Sequence, residues 1–215
     1  MYQIAHRGYS DRAKDNTEEA FRLAVQHHFD MIELDIQLCR DDTIIIFHDT
    51  ILEGKAVKDL TLSELKGLDS SIMSLSNFLD LFYRDGMKLY LDVKGCDIRI
   101  AKLLAEELEN WRLEDIFIGS FHLPILEQLR NVMPTVQLGV ITENHFSNFL
   151  VEYLTKEYEL AFFSVHWTML TDSLVNSMHE RNLLVFTYTC KNHVLEKVMR
   201  SFSIDGIVTN GLLLQ

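Results

Sequence analysis

The sequence predicts an α/β fold, a closed TIM (β/α)8 barrel, and two observations favour this class. Short apolar or β-branched segments alternate with amphipathic segments along the chain, and this repetition produces parallel strands in a barrel or a doubly wound sheet. Neither a Rossmann glycine fingerprint nor a GxxxxGK[ST] motif occurs, which disfavours a nucleotide-binding doubly wound sheet. The chain has 215 residues, of which 47% are apolar, enough for one sizeable core. We therefore predict a single domain over residues 1–215.

In chain order, the apolar and β-branched runs predict nine strands. These are Gln3–His6, Met31–Ile36, Thr43–Phe47, Lys88–Val93, Ile116–Ser120, Val136–Ile141, Leu160–Val165, Leu183–Tyr188 and Gly206–Thr209. The amphipathic stretches between them predict eight helices. These are Asn16–His28, Leu62–Gly67, Leu75–Tyr83, Asp97–Asn110, Leu123–Asn131, His145–Lys156, Asp172–Glu180 and His193–Ser201. A barrel of this type needs eight strands, so one of the nine should lie outside it.

The strand outside the barrel is expected to be Thr43–Phe47. Adjacent parallel strands need a crossover of about a dozen residues or more, and only six residues join Met31–Ile36 to Thr43–Phe47. We expect this segment to leave the barrel above the second strand and to carry His48 back over the barrel mouth. Residues 37–74 should then form a small insertion within the domain.

The composition excludes some classes of partner. The formal net charge is −12 and no Lys/Arg cluster occurs, which argues against nucleic acid and against an acidic membrane surface. No apolar stretch approaches the length of about 18 residues that a membrane span requires, so we expect no stable membrane insertion. The three cysteines form no CxxC pair, which suits a reducing compartment. The N-terminus does not resemble a signal peptide, and we expect a cytoplasmic protein. A homodimer stays possible.

Polar residues collect where the predicted barrel strands end. Catalytic groups of such barrels sit at the carboxyl ends of the strands. The first strand runs into His6-Arg7-Gly8, the second carries Glu33 and Asp35, and the third carries Asp92 and Lys94. Because side chains alternate along a strand, each of the two pairs shares one face. Their apolar neighbours should pack on the outer helices, so the charged face should be the barrel interior.

This set of residues fits the cleavage of a phosphate ester. Three carboxylates without thiolate ligands are typical of a hard cation such as Mg²⁺ or Ca²⁺, which would also relieve their mutual repulsion. Arg7 and Lys94 can bind an anion, and arginine suits a phosphate in particular. The two histidines, His6 and His48, can divide general-base and general-acid work. A single strand-end histidine is more often structural, so the combination is what favours an active site.

The motifs resemble those of a known family. The stretches AHRGYS, DNTEEAF, IELDIQLCRDD and FHD resemble the signature of the glycerophosphodiester phosphodiesterase family. The segment DLTLSELKGLD is similar to the insertion of that family, and DGIVTN to its closing strand. The resemblance implies a TIM barrel, a divalent cation, and hydrolysis of glycerophosphodiesters to glycerol 3-phosphate and an alcohol. It also implies that a neighbouring glycerol hydroxyl attacks phosphorus first, giving a cyclic phosphate that water opens.

The resemblance implies a role for eight residues. These are His6 and His48 as the catalytic acid–base pair, Glu33, Asp35 and Asp92 as metal ligands, and Arg7, Lys94 and Tyr188 as substrate contacts. Four positions depart from the family pattern and leave the headgroup preference open. These are Asp15 and Asp92, where the family usually has glutamate, Tyr188, where it has tryptophan, and Asn210, where it has aspartate.

Two alternative functions stay open on the sequence. A related barrel phosphodiesterase could act on lysophospholipids, which would require an apolar mouth for an acyl chain. A non-catalytic binding protein could be built on the same barrel, although the intact pair His6 and His48 argues against it. The alcohol released and the cation are not determined by the sequence.

Overall fold

The computed structural model describes residues 1–83 and 86–213, and it confirms the predicted (β/α)8 barrel. Twelve strands occur among the described residues. They are β1 (Tyr2–Ala5), β2 (Met31–Leu38), β3 (Ile44–Ile46), β4 (Ile51–Leu52), β5 (Lys55–Ala56), β6 (Met73–Ser74), β7 (Lys88–Val93), β8 (Ile116–Ser120), β9 (Gln137–Thr142), β10 (Phe162–His166), β11 (Leu184–Cys190) and β12 (Gly206–Thr209). Eight of them, β1, β2 and β7 to β12, pair in parallel, and β1 pairs with both β2 and β12, which closes the barrel.

Eight α-helices in the described part of the chain match the eight predicted ones. They are α1 (Glu18–Gln26), α2 (Leu62–Leu68), α3 (Leu75–Phe82), α4 (Arg99–Glu107), α5 (Leu123–Val132), α6 (Asn148–Tyr158), α7 (Asp172–His179) and α8 (His193–Arg200). Two of them, α1 and α6, begin later than predicted because a side-chain cap fixes the first turn. Thr17, for example, accepts a hydrogen bond from the Ala20 amide, so α1 begins after it. Within residues 1–83 and 86–213, no helix has the length and apolarity to cross a membrane.

The third predicted strand lies outside the barrel, as its short connection indicated. In the structure β3 pairs antiparallel with the end of β2, in the register Ile36↔Ile46. The barrel pairing of β2 with β7 ends at Ile36, so the last residues of β2 project beyond the barrel. The hairpin β4–β5 and the short strand β6, which pairs with β3, were not predicted. His48 lies two residues beyond the end of β3, at the barrel mouth.

The barrel has an apolar layer on the outside and aromatic rings at the inner centre. The predicted outward residues of β2, among them Ile32 and Leu34, pack against the helices in the main core. The rings of Phe162 and Phe186 fill the interior, and glycines give them room. A Cβ added at Gly139 would lie 2.4 Å from the Phe162 ring. The residues predicted for the site lie beyond these rings, at the carboxyl ends of the strands.

Candidate active site

A cavity of about 560 Å³ opens at the carboxyl ends of the barrel strands. The structure brings all eight residues predicted for the site to its walls. They are His6, Arg7, Glu33, Asp35, His48, Asp92, Lys94 and Tyr188. They belong to β2, β7 and β11 or to the loops that follow β1, β3 and β7.

The loop after β1 turns sharply so that consecutive residues reach the site. Arg7 has a left-handed backbone with φ 58°, and its amide donates to Glu33 Oε2 at 2.8 Å. Gly8 follows with φ 81°, and a Cβ there would lie 2.6 Å from the Ala20 carbonyl carbon. Only glycine combines this backbone conformation with so close an approach to α1. The geometry of the loop therefore requires the glycine of the His-Arg-Gly sequence.

Three buried carboxylates lie together in the cavity. Asp35 on β2 is the direct register partner of Asp92 on β7, and Glu33 lies two residues before Asp35 on the same face. One oxygen from each carboxylate falls within a group whose atoms all lie within 4.8 Å of one another. Asp92 Oδ1 is buried and has no hydrogen-bond partner among the described residues. The arrangement fits a hard divalent cation, because all its donors are oxygen and one of them lacks a partner.

Cationic side chains and burial set the charge of these carboxylates. Burial, together with the charges of Asp35 and Asp92, raises the pKa of Glu33 well above its ordinary value. Burial also raises the pKa of Asp92, to about 6. Burial opposes ionisation of Asp35 too, but Lys94 and Arg7 hold its pKa below the ordinary value. Ionisation of Glu33 and Asp92 is therefore unfavourable in the protein alone, and a bound cation would favour their charged forms.

Arg7 and Lys94 lie against the same carboxylates. Arg7 Nη1 donates to Asp15 Oδ2 at 2.9 Å, and Arg7 Nε lies 2.8 Å from Asp35 Oδ2. Lys94 Nζ lies 3.0 Å from Asp35 Oδ1 and donates to Asp92 Oδ2. An ammonium group has three N–H donors and a guanidinium has five. Both groups therefore keep donor capacity for an anion that enters the cavity.

The two histidines have different surroundings. His6 Nδ1 lies 2.7 Å from Asn210 Oδ1, an acceptor that places the ring proton on Nδ1 and leaves Nε2 unprotonated. Burial and the charge of Arg7 lower the pKa of His6 to about 4, so the ring is neutral at pH 7. His48 is about 42% exposed, and its Nδ1 lies 2.7 Å from Asp49 Oδ1. A neutral histidine and a histidine beside a carboxylate can act as base and acid respectively.

Two contributors to the site were not assigned from the sequence. Asn16 Nδ2 donates to Asp35 Oδ2 at 2.8 Å from a left-handed backbone, φ 55°. Its position inside the DNTEEAF motif could have assigned Asn16 to the site from the sequence. The centroid of the Phe121 ring lies 6.4 Å from the centroid of the Tyr188 ring and 5.6 Å from Lys94 Nζ. Phe121 directly follows β8, and catalytic groups of such barrels lie at the carboxyl ends of the strands. Its position was therefore predictable, but its ring contacts with Tyr188 and Lys94 were not.

Comparison with known proteins gives one consistent result. The model of the glycerophosphoryl diester phosphodiesterase family matches residues 6–213. YhdW of Bacillus subtilis is 29% identical over 98% of this chain and 94% of its own length. A glycerophosphodiester phosphodiesterase of Bacillus altitudinis is 27% identical over 96% of this chain and 93% of its own length. An Oleispira antarctica phosphodiesterase, solved with sn-glycerol-3-phosphate, superposes with a TM-score of 0.89 at 22% identity, covering 98% and 93% of the two chains.

Proposed function

The chain belongs to the glycerophosphoryl diester phosphodiesterase family, and from this premise we propose that it hydrolyses glycerophosphodiesters to glycerol 3-phosphate and an alcohol, with a divalent cation and a histidine pair. One observation carries the proposal. The cavity that holds the three clustered carboxylates is also lined by His6 and His48. Metal ligands and an acid–base pair are the two sets of groups that this hydrolysis requires.

The proposed cation ligands are Glu33, Asp35 and Asp92, and the proposed ion is Mg²⁺ or Ca²⁺. The unpartnered Asp92 oxygen and the raised pKa of Glu33 support this assignment. A bound cation of this kind supplies stabilisation of the charge that develops on the phosphoryl oxygens. Arg7 and Lys94 lie beside the cluster, where they would hold the phosphate of the substrate.

The proposed proton transfers follow from the surroundings of each histidine. His6 Nε2 takes the proton of the glycerol hydroxyl next to the phosphate, and that oxygen attacks phosphorus. His48, whose Nδ1 lies beside Asp49 Oδ1, gives a proton to the leaving alcohol. The product of this step is a cyclic phosphate. In the second step the roles reverse, because water loses its proton to His48 and the glycerol oxygen regains one from His6.

The proposed function is tested by the release of choline and glycerol 3-phosphate from glycerophosphocholine, with and without a chelator. We expect release that stops after exhaustive chelation and returns with Mg²⁺ or Ca²⁺. His6→Ala and His48→Ala should each lower kcat by about 10²-fold or more, the usual loss for a general acid or base, in proteins with an unchanged circular dichroism spectrum.

Three results would contradict the proposal. Turnover that survives exhaustive chelation would exclude the cation. Near wild-type kcat in either histidine variant would remove that histidine from the mechanism. Choline release from lysophosphatidylcholine without release from glycerophosphocholine would favour a lysophospholipid substrate, and substrate binding without product would favour a binding protein.

A further inference from the structure

We propose that Gln37 is a positioning residue for His48, because it fixes the backbone on both sides of that histidine. The inference rests on the proposed function, in which His48 transfers a proton. Gln37 lies on β2 two residues beyond Asp35 and is only 5% exposed. None of the described hydrogen bonds of Gln37 involves a carboxylate of the cluster. Gln37 can therefore act on the site only through other residues.

The amide group of Gln37 binds the loop that carries His48. Its Nε2 donates to the carbonyl oxygen of Phe47 at 2.7 Å and to that of Asp49 at 3.0 Å. These two carbonyl groups belong to the residues immediately before and after His48. A side-chain amide has two N–H donors, and both are used on this one short segment.

His48 depends on such a restraint because it lies beyond the end of its strand. The pairing of β3 with β2 stops at Ile36↔Ile46. One further backbone bond follows, from the Phe47 amide to the Asp35 carbonyl at 3.0 Å. The imidazole itself is half-exposed, and its described ring partner, Asp49, has a side chain that is 70% exposed. The buried Gln37 amide therefore links an exposed loop to the rigid strand that also carries Glu33 and Asp35.

The link has a consequence for catalysis. Proton transfer requires the donor within hydrogen-bond reach of the leaving oxygen, and a misplacement of about 1 Å can lower a rate by about 10²-fold. Gln37 fixes His48 relative to β2, which presents two of the proposed cation ligands. Loss of the link should therefore lower kcat, while KM should change little because Gln37 does not contact the phosphate-binding residues in any described hydrogen bond.

The test uses Gln37→Met, which keeps the length of the side chain and removes both donors. We expect kcat to fall by about 10-fold or more with KM within about threefold of wild type. In the His48→Ala background the same substitution should change kcat by less than about twofold, because the residue that it positions is already absent.

A matched control separates positioning from general stability. Thr187 Oγ1 donates to the Val165 carbonyl at 3.0 Å and is fully buried, so Thr187→Val also removes a buried bond to the backbone. Its effect on kcat should be the same in the wild-type and His48→Ala backgrounds. If Gln37→Met is likewise additive with His48→Ala, or if it lowers kcat no more than Thr187→Val does, the proposal is overturned.

A readout without substrate separates this inference from the proposed function. Backbone order parameters of residues 47–50, measured by ¹⁵N relaxation, should fall in Gln37→Met and stay unchanged in Thr187→Val. Absence of turnover in the wild-type protein would count against the proposed function alone. Unchanged order parameters in Gln37→Met would overturn the role of Gln37, whatever the wild-type activity.

Discussion

At the scale of single residues, Asn210 fixes the orientation of His6 without adding a charge. Its amide oxygen lies 2.7 Å from His6 Nδ1, at a position where the resembling family usually has aspartate. A carboxylate there would stabilise the protonated imidazole, whereas the neutral amide leaves burial and Arg7 to lower the pKa of His6 to about 4. The departure at Asn210 therefore favours a neutral His6 over a wide range of pH.

We predict that Asn210→Asp raises the pKa of His6. NMR titration of the His6 ring should show the change, and the acidic limb of the kcat/KM profile should move to higher pH, because the base is then lost to protonation earlier.

As the pH falls from the ordinary value of 6.5 towards 4, wild-type His6 binds a proton in the unfolded state but not in the folded state. His6 thus lowers the free energy of unfolding in that window, and the variant should lose less stability there. An unchanged titration would show that the Asn210 contact does not control His6.

At the scale of elements, glycines on the barrel strands determine which rings can fill the interior. A Cβ at Gly139 on β9 would lie 2.4 Å from Phe162 on β10, and one at Gly206 on β12 would lie 2.8 Å from Phe186 on β11. These rings form the floor beneath the polar cavity. Strands with an interior glycine thus lie beside strands that carry large aromatic residues. The aromatic rings fill the barrel below the carboxylate cluster, which lies at the mouth.

We predict that Gly139→Ala lowers the free energy of unfolding by about 1–3 kcal/mol, the usual result of overpacking a core. Gly67→Ala is the matched control. Gly67 lies in α2 with no atom within 4 Å of an added Cβ, so alanine should raise the free energy of unfolding by about 0.5–1 kcal/mol through helix propensity. Urea unfolding monitored by circular dichroism measures both. Adding Phe162→Leu should recover part of the loss in Gly139→Ala, and equal stability of the two alanine variants would refute the packing argument.

At the scale of the whole molecule, closure of the barrel assembles the site. His6 and Asn210 are 204 residues apart, and they meet because β1 pairs with β12. The same closure places β1 beside β2, so the loop after β1 reaches Glu33 and Asp35. A ligand held between these strands binds only the closed barrel, and such a ligand stabilises the whole fold by mass action.

We predict that Mg²⁺ or Ca²⁺ raises the melting temperature of the wild-type protein. At about 100 times the dissociation constant, the gain is about 2.7 kcal/mol, or about 5–10 °C for a protein of this length. Glu33→Gln should show little of this gain. Without the cation, at pH 8, Glu33→Gln should have a higher melting temperature than the wild-type protein. Burial raises the pKa of Glu33, so this carboxyl ionises less readily in the folded protein than in the unfolded chain, and at pH 8 this difference opposes folding. The neutral amide avoids that penalty.

Differential scanning calorimetry with and without the cation measures both comparisons. Glu109→Gln, at an exposed position, is the control and should behave like the wild-type protein. An equal cation-dependent shift in wild type and Glu33→Gln would remove Glu33 from the cation site. If Glu33→Gln is less stable than the wild-type protein when chelator has removed the cation from both, the buried Glu33 carboxylate does not oppose folding.

The sequence alone was sufficient for the local features. Strand and helix periods, the short connection before Thr43 and the polar residues at strand ends depend on neighbours along the chain. They predicted the barrel, the strand outside it and the identity of the site residues that the cavity brings together. The proposed type of ligand, a hard cation, also rests on local information, because donor chemistry is a property of the side chains themselves.

Only the tertiary structure decided how these residues act on one another. The contact of His6 with Asn210 joins the first and last barrel strands, and the pairing of Arg7 with Asp35 joins the loop after β1 to β2. Such contacts depend on the closure and register of the sheet, which no local pattern encodes. The pKa directions depend on burial, which exists only once the barrel has removed water from its mouth. The sequence thus predicted the groups of the candidate site, and the fold determined their surroundings and orientations.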